Sequence, residues 1–228
     1  FKIGNNNDSN LRIIGEKLFP NINLKIQINE AKHDINLNVT GPNFNLNFLL
    51  ALSMAHFSEK LNIQKYEENF HNIQNPKGRF EMINYKSNKI VVDYAHTPDA
   101  IKTTVDFVTQ YFSNVIVVFG AGGDRDTEKR MLMGNATKIA DKIIITNDNP
   151  RHEDPEKIAN DILEGCDKEK TIVILDRKEA ITYGINQLKD NSVLLVLGKG
   201  HEMYQEIKNK KINFNDFDYI SDLLGDIS

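Results

Sequence analysis

Lys142-Ile143-Ile144-Ile145-Thr146-Asn147-Asp148-Asn149-Pro150-Arg151-His152-Glu153-Asp154-Pro155 holds an apolar run, a polar turn and a helix start. The run is short and β-branched, which suits a strand buried on both faces of a parallel sheet. Asp154 before Pro155 is a helix cap followed by proline in the first turn. The intervening turn carries an acid, an amide and a guanidinium within four residues, Asp148 to Arg151. In open α/β sheets ligands sit beyond the carboxyl ends of the strands. An acid beside an arginine fork there suits a ligand bearing both an ammonium and a carboxylate, which is an amino acid.

The same strand–turn–helix rhythm extends both ways. Apolar runs at 115–119, 172–175 and 193–197 alternate with helical stretches near 98–111, 130–140, 155–164 and 177–189. Thr97-Pro98 is a second capped start, and Asp176 with Glu179 reads as a capping box. Ile101, Thr104, Val105, Val108 and Phe112 form one helical stripe. A hairpin is expected at 80–85 and 89–93, around Lys86-Ser87-Asn88. The pattern predicts an α/β domain with a mostly parallel sheet covered on both faces. Upstream, Ile22, Leu24, Ile26, Ile28, then Ile35, Leu37 and Val39, alternate with polar residues, the period of strands. Helices are expected at 46–58 and 62–73, the second with Ile63, Tyr66, Phe70 and Ile73 on one face. Asn75-Pro76-Lys77-Gly78 is the linker between two parts.

Composition narrows the function. A formal charge of −4 gives no basic field for nucleic acid. Cys166 is the only cysteine, so a disulfide framework or cysteine zinc cage within one chain is excluded. No apolar run approaches the ~20 residues of a membrane span, and no secretory signal is evident. The chain opens on Phe1 without methionine, which reads as a fragment of a longer protein. Gly120-Ala121-Gly122-Gly123 can form an anion-binding concavity. It fails the dinucleotide fingerprint, because Arg125 stands where the last glycine belongs. Gly198-Lys199-Gly200-His201-Glu202 lacks the Ser or Thr of a phosphate loop, and no complete loop of that type occurs in the chain. Asp93 and His96 sit at another expected strand end. They suit ribose and phosphate contacts, and equally a turn before a helix cap. Acids and histidines at 124, 126, 152, 153 and 201 match no metal-ligand spacing.

Taken in order, Gly78-Arg79-Phe80-Glu81, Asp93-Tyr94-Ala95-His96-Thr97-Pro98, Gly122-Gly123-Asp124-Arg125-Asp126, Lys129-Arg130, Leu132-Met133-Gly134, Asp148-Asn149-Pro150-Arg151 and Gly198-Lys199-Gly200-His201-Glu202 resemble the Mur ligases of peptidoglycan synthesis, and among them those that add diaminopimelate. The resemblance implies a Rossmann-like, mostly parallel C-terminal domain over residues 77–228 that binds the amino acid. It implies that residues 1–76 are the tail of an α/β central ATP-binding domain. Asn47 matches the end of an adenine-side element, although the preceding Asn43-Phe44-Asn45 is displaced from the family pattern. The implied activity is ATP- and Mg2+-dependent amide ligation in the cytoplasm. Its substrates are diaminopimelate and UDP-N-acetylmuramoyl-L-alanyl-D-glutamate, and its intermediate is an acyl phosphate. The family's phosphate loop and uridine-nucleotide domain are expected upstream of Phe1, so this chain alone is expected to be inactive. Arg130, Asp148, Asn149, Pro150, Arg151, Gly198 and Glu202 match the diaminopimelate site. Asn47, Arg79, Asp93 and His96 match the nucleotide side. Lanthionine or lysine as acceptor, and a non-catalytic amino-acid-binding module, remain open alternatives.

Overall fold

The computed structural model describes residues 2–4, 6, 9–59 and 62–225. The chain divides into two compact units, Phe1–Asn75 and Pro76–Ser228.

The first unit contains β1 (Ile3–Gly4), β2 (Leu11–Lys17), β3 (Ile22–Ile28), β4 (Ala31–Leu37), α1 (Phe44–Glu59), α2 (Ile63–Tyr66) and a 3₁₀ segment, Glu67–Asn72. Its sheet runs β1-β2-β3-β4, with β2, β3 and β4 antiparallel. The period-two positions Ile22, Leu24, Ile26, Ile28, Ile35 and Leu37 face one core with Leu49, Leu52 and Ile63. The expected helix over 62–73 is broken, and Tyr66 and Ile73 of its supposed stripe are exposed. Glu67 shows why: its carboxylate accepts the Asp34 amide at 2.8 Å and lies 3.4 Å from His33 Nδ1. The tightened segment thus docks onto β4.

The second unit contains β5 (Glu81–Tyr85), β6 (Asn88–Asp93), α3 (Pro98–Val108), β7 (Asn114–Phe119), α4 (Glu128–Ala136), β8 (Lys142–Ile145), α5 (Pro155–Leu163), β9 (Thr171–Val173), α6 (Arg177–Asn186), β10 (Ser192–Leu197), β11 (Tyr204–Ile207), β12 (Lys210–Asn213) and α7 (Asp216–Gly225). Its main sheet has the order β5-β6-β10-β7-β8-β9, parallel throughout except for the β5–β6 hairpin. Ile90, Val92, Ile116, Val118, Ile144, Leu194 and Val196 pack on one side with Ala180 and Ile181 of α6 and Ile220 of α7. The alternate residues Val91, Val117, Ile143 and Leu195 point to the other face and are equally buried. This two-sided burial explains the unbroken apolar runs. The caps form as the local pattern requires: Thr97, Asp154 and Asp176 accept from Ala100 N, Glu156 N and Glu179 N.

β10 is the last strand of the sheet in sequence, yet it lies between β6 and β7. The chain steps outward from β7 to β9, then returns to the middle. Leu197 lies level with Asp93, Val196 with Val118, and Phe119 with Ile145. The carboxyl ends of four neighbouring strands therefore open onto one place.

Candidate functional site

A cavity of about 320 Å³ lies at those strand ends. It is lined by Tyr94 and His96 after β6, by Gly120–Gly122, Arg125, Lys129 and Met133 from β7 into α4, by Asp148, Asn149 and Arg151 after β8, and by Gly198 and Glu202 after β10. Its size falls in the range of small-molecule sites. Cationic Arg125, Lys129 and Arg151 share its lining with acidic Asp148 and Glu202, both signs of charge that a zwitterion requires.

The loop after β8 is held by a hairpin that the sequence reading passed over. β11 and β12 pair through a two-residue turn, Lys208-Asn209, both at positive φ, the primed geometry of tight hairpins. Arg151 N donates to Glu206 O at 3.0 Å, and Lys208 N donates to Arg151 O at 2.8 Å. Arg151 is thereby fixed at φ 51, in the left-handed region. Its Nη1 donates to Gly123 O at 2.7 Å, and its Nε lies 3.2 Å from Glu206 Oε2. The guanidinium is oriented before any ligand arrives. Gln205 Nε2 adds a bond to Asp148 O at 3.0 Å. The signal for this brace was in the sequence: an Asn-containing turn flanked by Tyr204–Ile207 and Lys210–Asn213.

Asp148 is 8% exposed, and burial pushes its carboxyl above the usual range, with Arg177 and Lys199 pulling the other way. Gly198 makes this arrangement possible. It sits at φ 111, and a Cβ there would stand 2.5 Å from Asp148 Oδ2. Asn149 lines the wall and also anchors it. Its Nδ2 donates to Glu202 at 2.8 Å, while its Oδ1 accepts from Glu206 N at 2.9 Å. Pro150 is buried beside them, and its carbonyl accepts from Glu153 N at 3.1 Å. Behind the cavity, Arg177 and Asp216 form a fully buried pair at 2.7 and 2.8 Å. Arg177 also donates to Leu197 O at 2.9 Å and Asn147 O at 3.3 Å, tying together the ends of β10 and β8.

Arg130 departs from expectation. It does not line the cavity. Its fully buried guanidinium grips Glu153 at 2.8 and 2.9 Å and Asp161 at 2.9 Å, which ties α4 to α5 and to the loop before it. Two carboxylates already neutralise it, so none of its charge is left for a ligand. Arg125 and Lys129, on the approach to α4, face the cavity instead. Arg130→Ala is expected to destabilise the fold by about 3 kcal/mol, because two partly buried acids lose their partner. Arg125→Ala should stay within ~0.5 kcal/mol, as exposed positions usually do. Thermal unfolding followed by circular dichroism separates the two.

Of the second-unit residues assigned to the nucleotide side, His96 lines the cavity and Arg79 and Asp93 do not. Asp93 is turned back into the protein, where it accepts from Phe80 N at 2.6 Å and Ala95 N at 2.7 Å. Burial raises its carboxyl, although those two bonds and Arg79 oppose the shift. It is a latch between β6 and the start of β5 rather than a cavity wall. His96 does line the cavity, with Nδ1–H donating to Tyr94 O at 2.7 Å. The Arg79 guanidinium stacks over the Tyr94 ring at 4.6 Å. Asn47 is an exposed residue of α1 in the first unit.

A family model described as Mur ligase, glutamate ligase domain, matches residues 78–200. The UDP-N-acetylmuramoyl-L-alanyl-D-glutamate–2,6-diaminopimelate ligase of Buchnera aphidicola subsp. Acyrthosiphon pisum is 47% identical over 153 residues, 65% of this chain and 31% of the relative. The ligase of the same name from Rickettsia felis is 41% identical over 207 residues, 89% of this chain and 38% of the relative. The chain thus spans about a third of the length of these relatives. A solved structure of a ligase with that name matches at a TM-score of 0.73 and 30% identity, covering 97% of this chain and 46% of the other. Mycobacterium tuberculosis folylpolyglutamate synthase, complexed with ADP and AMPPCP, shares the fold at a TM-score of 0.67 and 19% identity, over 84% of this chain and 46% of the other. With more than half of its residues matched by the family model, the chain belongs to the Mur ligase family.

Proposed function

We propose that this chain is part of an ATP-dependent amide ligase that adds meso-diaminopimelate to UDP-N-acetylmuramoyl-L-alanyl-D-glutamate in the cytoplasm. Residues 77–228 are its amino-acid-binding domain, and residues 1–76 belong to its ATP-binding central domain. The observation that carries the reading is the shared cavity of Arg151, Asp148 and Glu202. A braced guanidinium takes the far carboxylate of the acceptor, and the two acids take the ammonium beside it. The other amino group is left to react.

In this reading the γ-phosphoryl group of ATP passes to the side-chain carboxylate of D-glutamate, and ADP leaves. The deprotonated amine of the acceptor then attacks the acyl carbon, and the tetrahedral intermediate collapses with loss of phosphate. Phosphorylation is needed because a free carboxylate is a poor electrophile. The contribution of this chain is alignment, which can reach ~7–11 kcal/mol in favourable cases. Among the described residues, no group of three or more His, Cys, Asp or Glu is placed to hold a metal ion. Mg2+ bound together with the nucleotide would offset the charge of its phosphates. None of the described helices is long and apolar enough to cross a membrane.

Calorimetric titration of the chain with meso-diaminopimelate, lanthionine and lysine tests the acceptor. Lysine lacks the distal carboxylate, so it should bind weaker by ~2–4 kcal/mol, the magnitude of a charged hydrogen-bond pair left unmade. Lysine binding as tightly as meso-diaminopimelate would sink the assignment. A clear preference for lanthionine would redirect it to that acceptor.

A further inference from the structure

We propose that Lys199 is a positioning residue of the amino-acid site: its buried ammonium fixes Glu202 and Asn149, so that one carboxylate oxygen of Glu202 is presented to the amino group of the ligand. The inference rests on the amino-acid reading of the cavity and adds a residue that does not itself touch the ligand.

Lys199 is fully buried and is absent from the cavity wall. Its Nζ donates to Glu202 Oε2 at 2.8 Å, Asn149 Oδ1 at 3.2 Å and Tyr204 O at 2.6 Å. An ammonium has three donors and no acceptor. All three are engaged inside the protein, so Lys199 has none left for an anionic ligand. The three acceptors are the acid of the cavity, its neighbouring amide and the first residue of the bracing hairpin. Glu202 Oε2 also receives Asn149 Nδ2 at 2.8 Å. Among the described residues no donor reaches Oε1, and the side chain is about a quarter exposed. One oxygen is therefore clamped and the other is offered to the cavity.

The charge matters as well as the clamp. Glu202 lies in the field of Lys199 and Arg151, near Arg177, and against acidic Asp148. Burial pushes its carboxyl up, but the bonds from Lys199 and Asn149 outweigh that and hold it below the usual range. Glu202 thus keeps its charge further down in pH than an ordinary glutamate, while Asp148, raised by burial, does not. Without Lys199, Glu202 would take up its proton at higher pH, and binding would fail earlier on acidification.

The test uses the 228-residue chain, meso-diaminopimelate as probe, and calorimetry between roughly pH 3 and pH 7, which brackets the ordinary glutamate range. Lys199→Met keeps the volume and removes the charge. It should bind ~10–30-fold more weakly at neutral pH, and on acidification its affinity should decline at a higher pH than that of the parent chain. A uniform loss of affinity with an unshifted pH midpoint would make Lys199 a packing residue and overturn the proposal. If the variant does not fold, carbon-13 NMR titration of Glu202 in the parent chain still decides. A carboxyl that titrates at or above the ordinary glutamate value overturns the proposal, and one below it supports it. Failure of the parent chain to bind meso-diaminopimelate at any pH is a different result. It would remove the amino-acid reading itself, and this proposal with it.

Discussion

Asp216→Ala is expected to destabilise the second unit by about 3–5 kcal/mol, the cost of stranding a buried charge by removing its partner. Arg177 and Asp216 are both fully shielded from solvent, and their two parallel bonds measure 2.7 and 2.8 Å. After the substitution the guanidinium keeps as hydrogen-bond partners the Leu197 and Asn147 carbonyls, which accept but do not neutralise, and has only the unbonded carboxylates of Asp148 and Glu202 to offset its charge. For a chain of this size a midpoint falls ~2–4 °C per kcal/mol, so a drop of roughly 10 °C is expected. Replacing the pair together, with Arg177→Met and Asp216→Leu, should recover part of the loss because no charge is then left unpaired. Recovery should stay incomplete, since two strand-end carbonyls still lose their donor. Scanning calorimetry of the three chains checks this. A single variant melting within 2 °C or so of the parent would show that the pair carries little of the fold.

Arg151→Ala is expected to weaken meso-diaminopimelate by ~2–4 kcal/mol, roughly 30- to 1,000-fold, while lysine affinity changes little. The backbone should survive the change. Arg151 already pays the strain of φ 51, and its amide and carbonyl are held by Glu206 and Lys208 whatever the side chain. What disappears is a guanidinium oriented in advance by Gly123 O and Glu206. Orientation before binding spares the entropy of ordering a long side chain. Arg151→Lys should fall between the two, because a point charge cannot reproduce the planar fork. Titrations with both amino acids provide the comparison. Equal losses for meso-diaminopimelate and lysine would mean that Arg151 supports the fold and reads no carboxylate.

The sequence alone determined what depends on near neighbours. Thr97, Asp154 and Asp176 could be read as caps because a cap closes onto an amide two or three residues away. The strands around β8 were legible because burial on both faces leaves an unbroken apolar run. The ordered motifs from Gly78 to Glu202 pointed to the family for a related reason. Strand-end loops carry the site, and each is continuous in sequence.

The tertiary structure decided which charged residues face the ligand and which hold the protein together. Arg130 and Arg125 stand five positions apart on one short approach to α4, and no local pattern separates them. Only the arrival of Glu153 and Asp161, from far along the chain, commits Arg130 to the interior. Lys199 resembled part of a phosphate loop until Asn149, Glu202 and Tyr204 closed around its ammonium. The insertion of β10 between β6 and β7 likewise brings Glu202 to Asn149 from 53 residues away. The physical reason is common to all three. What a charged side chain does depends on which groups reach it, and those far along the chain, Glu153 and Asp161 for Arg130 and Asn149 for Lys199 and Glu202, arrive only once the sheet has assembled.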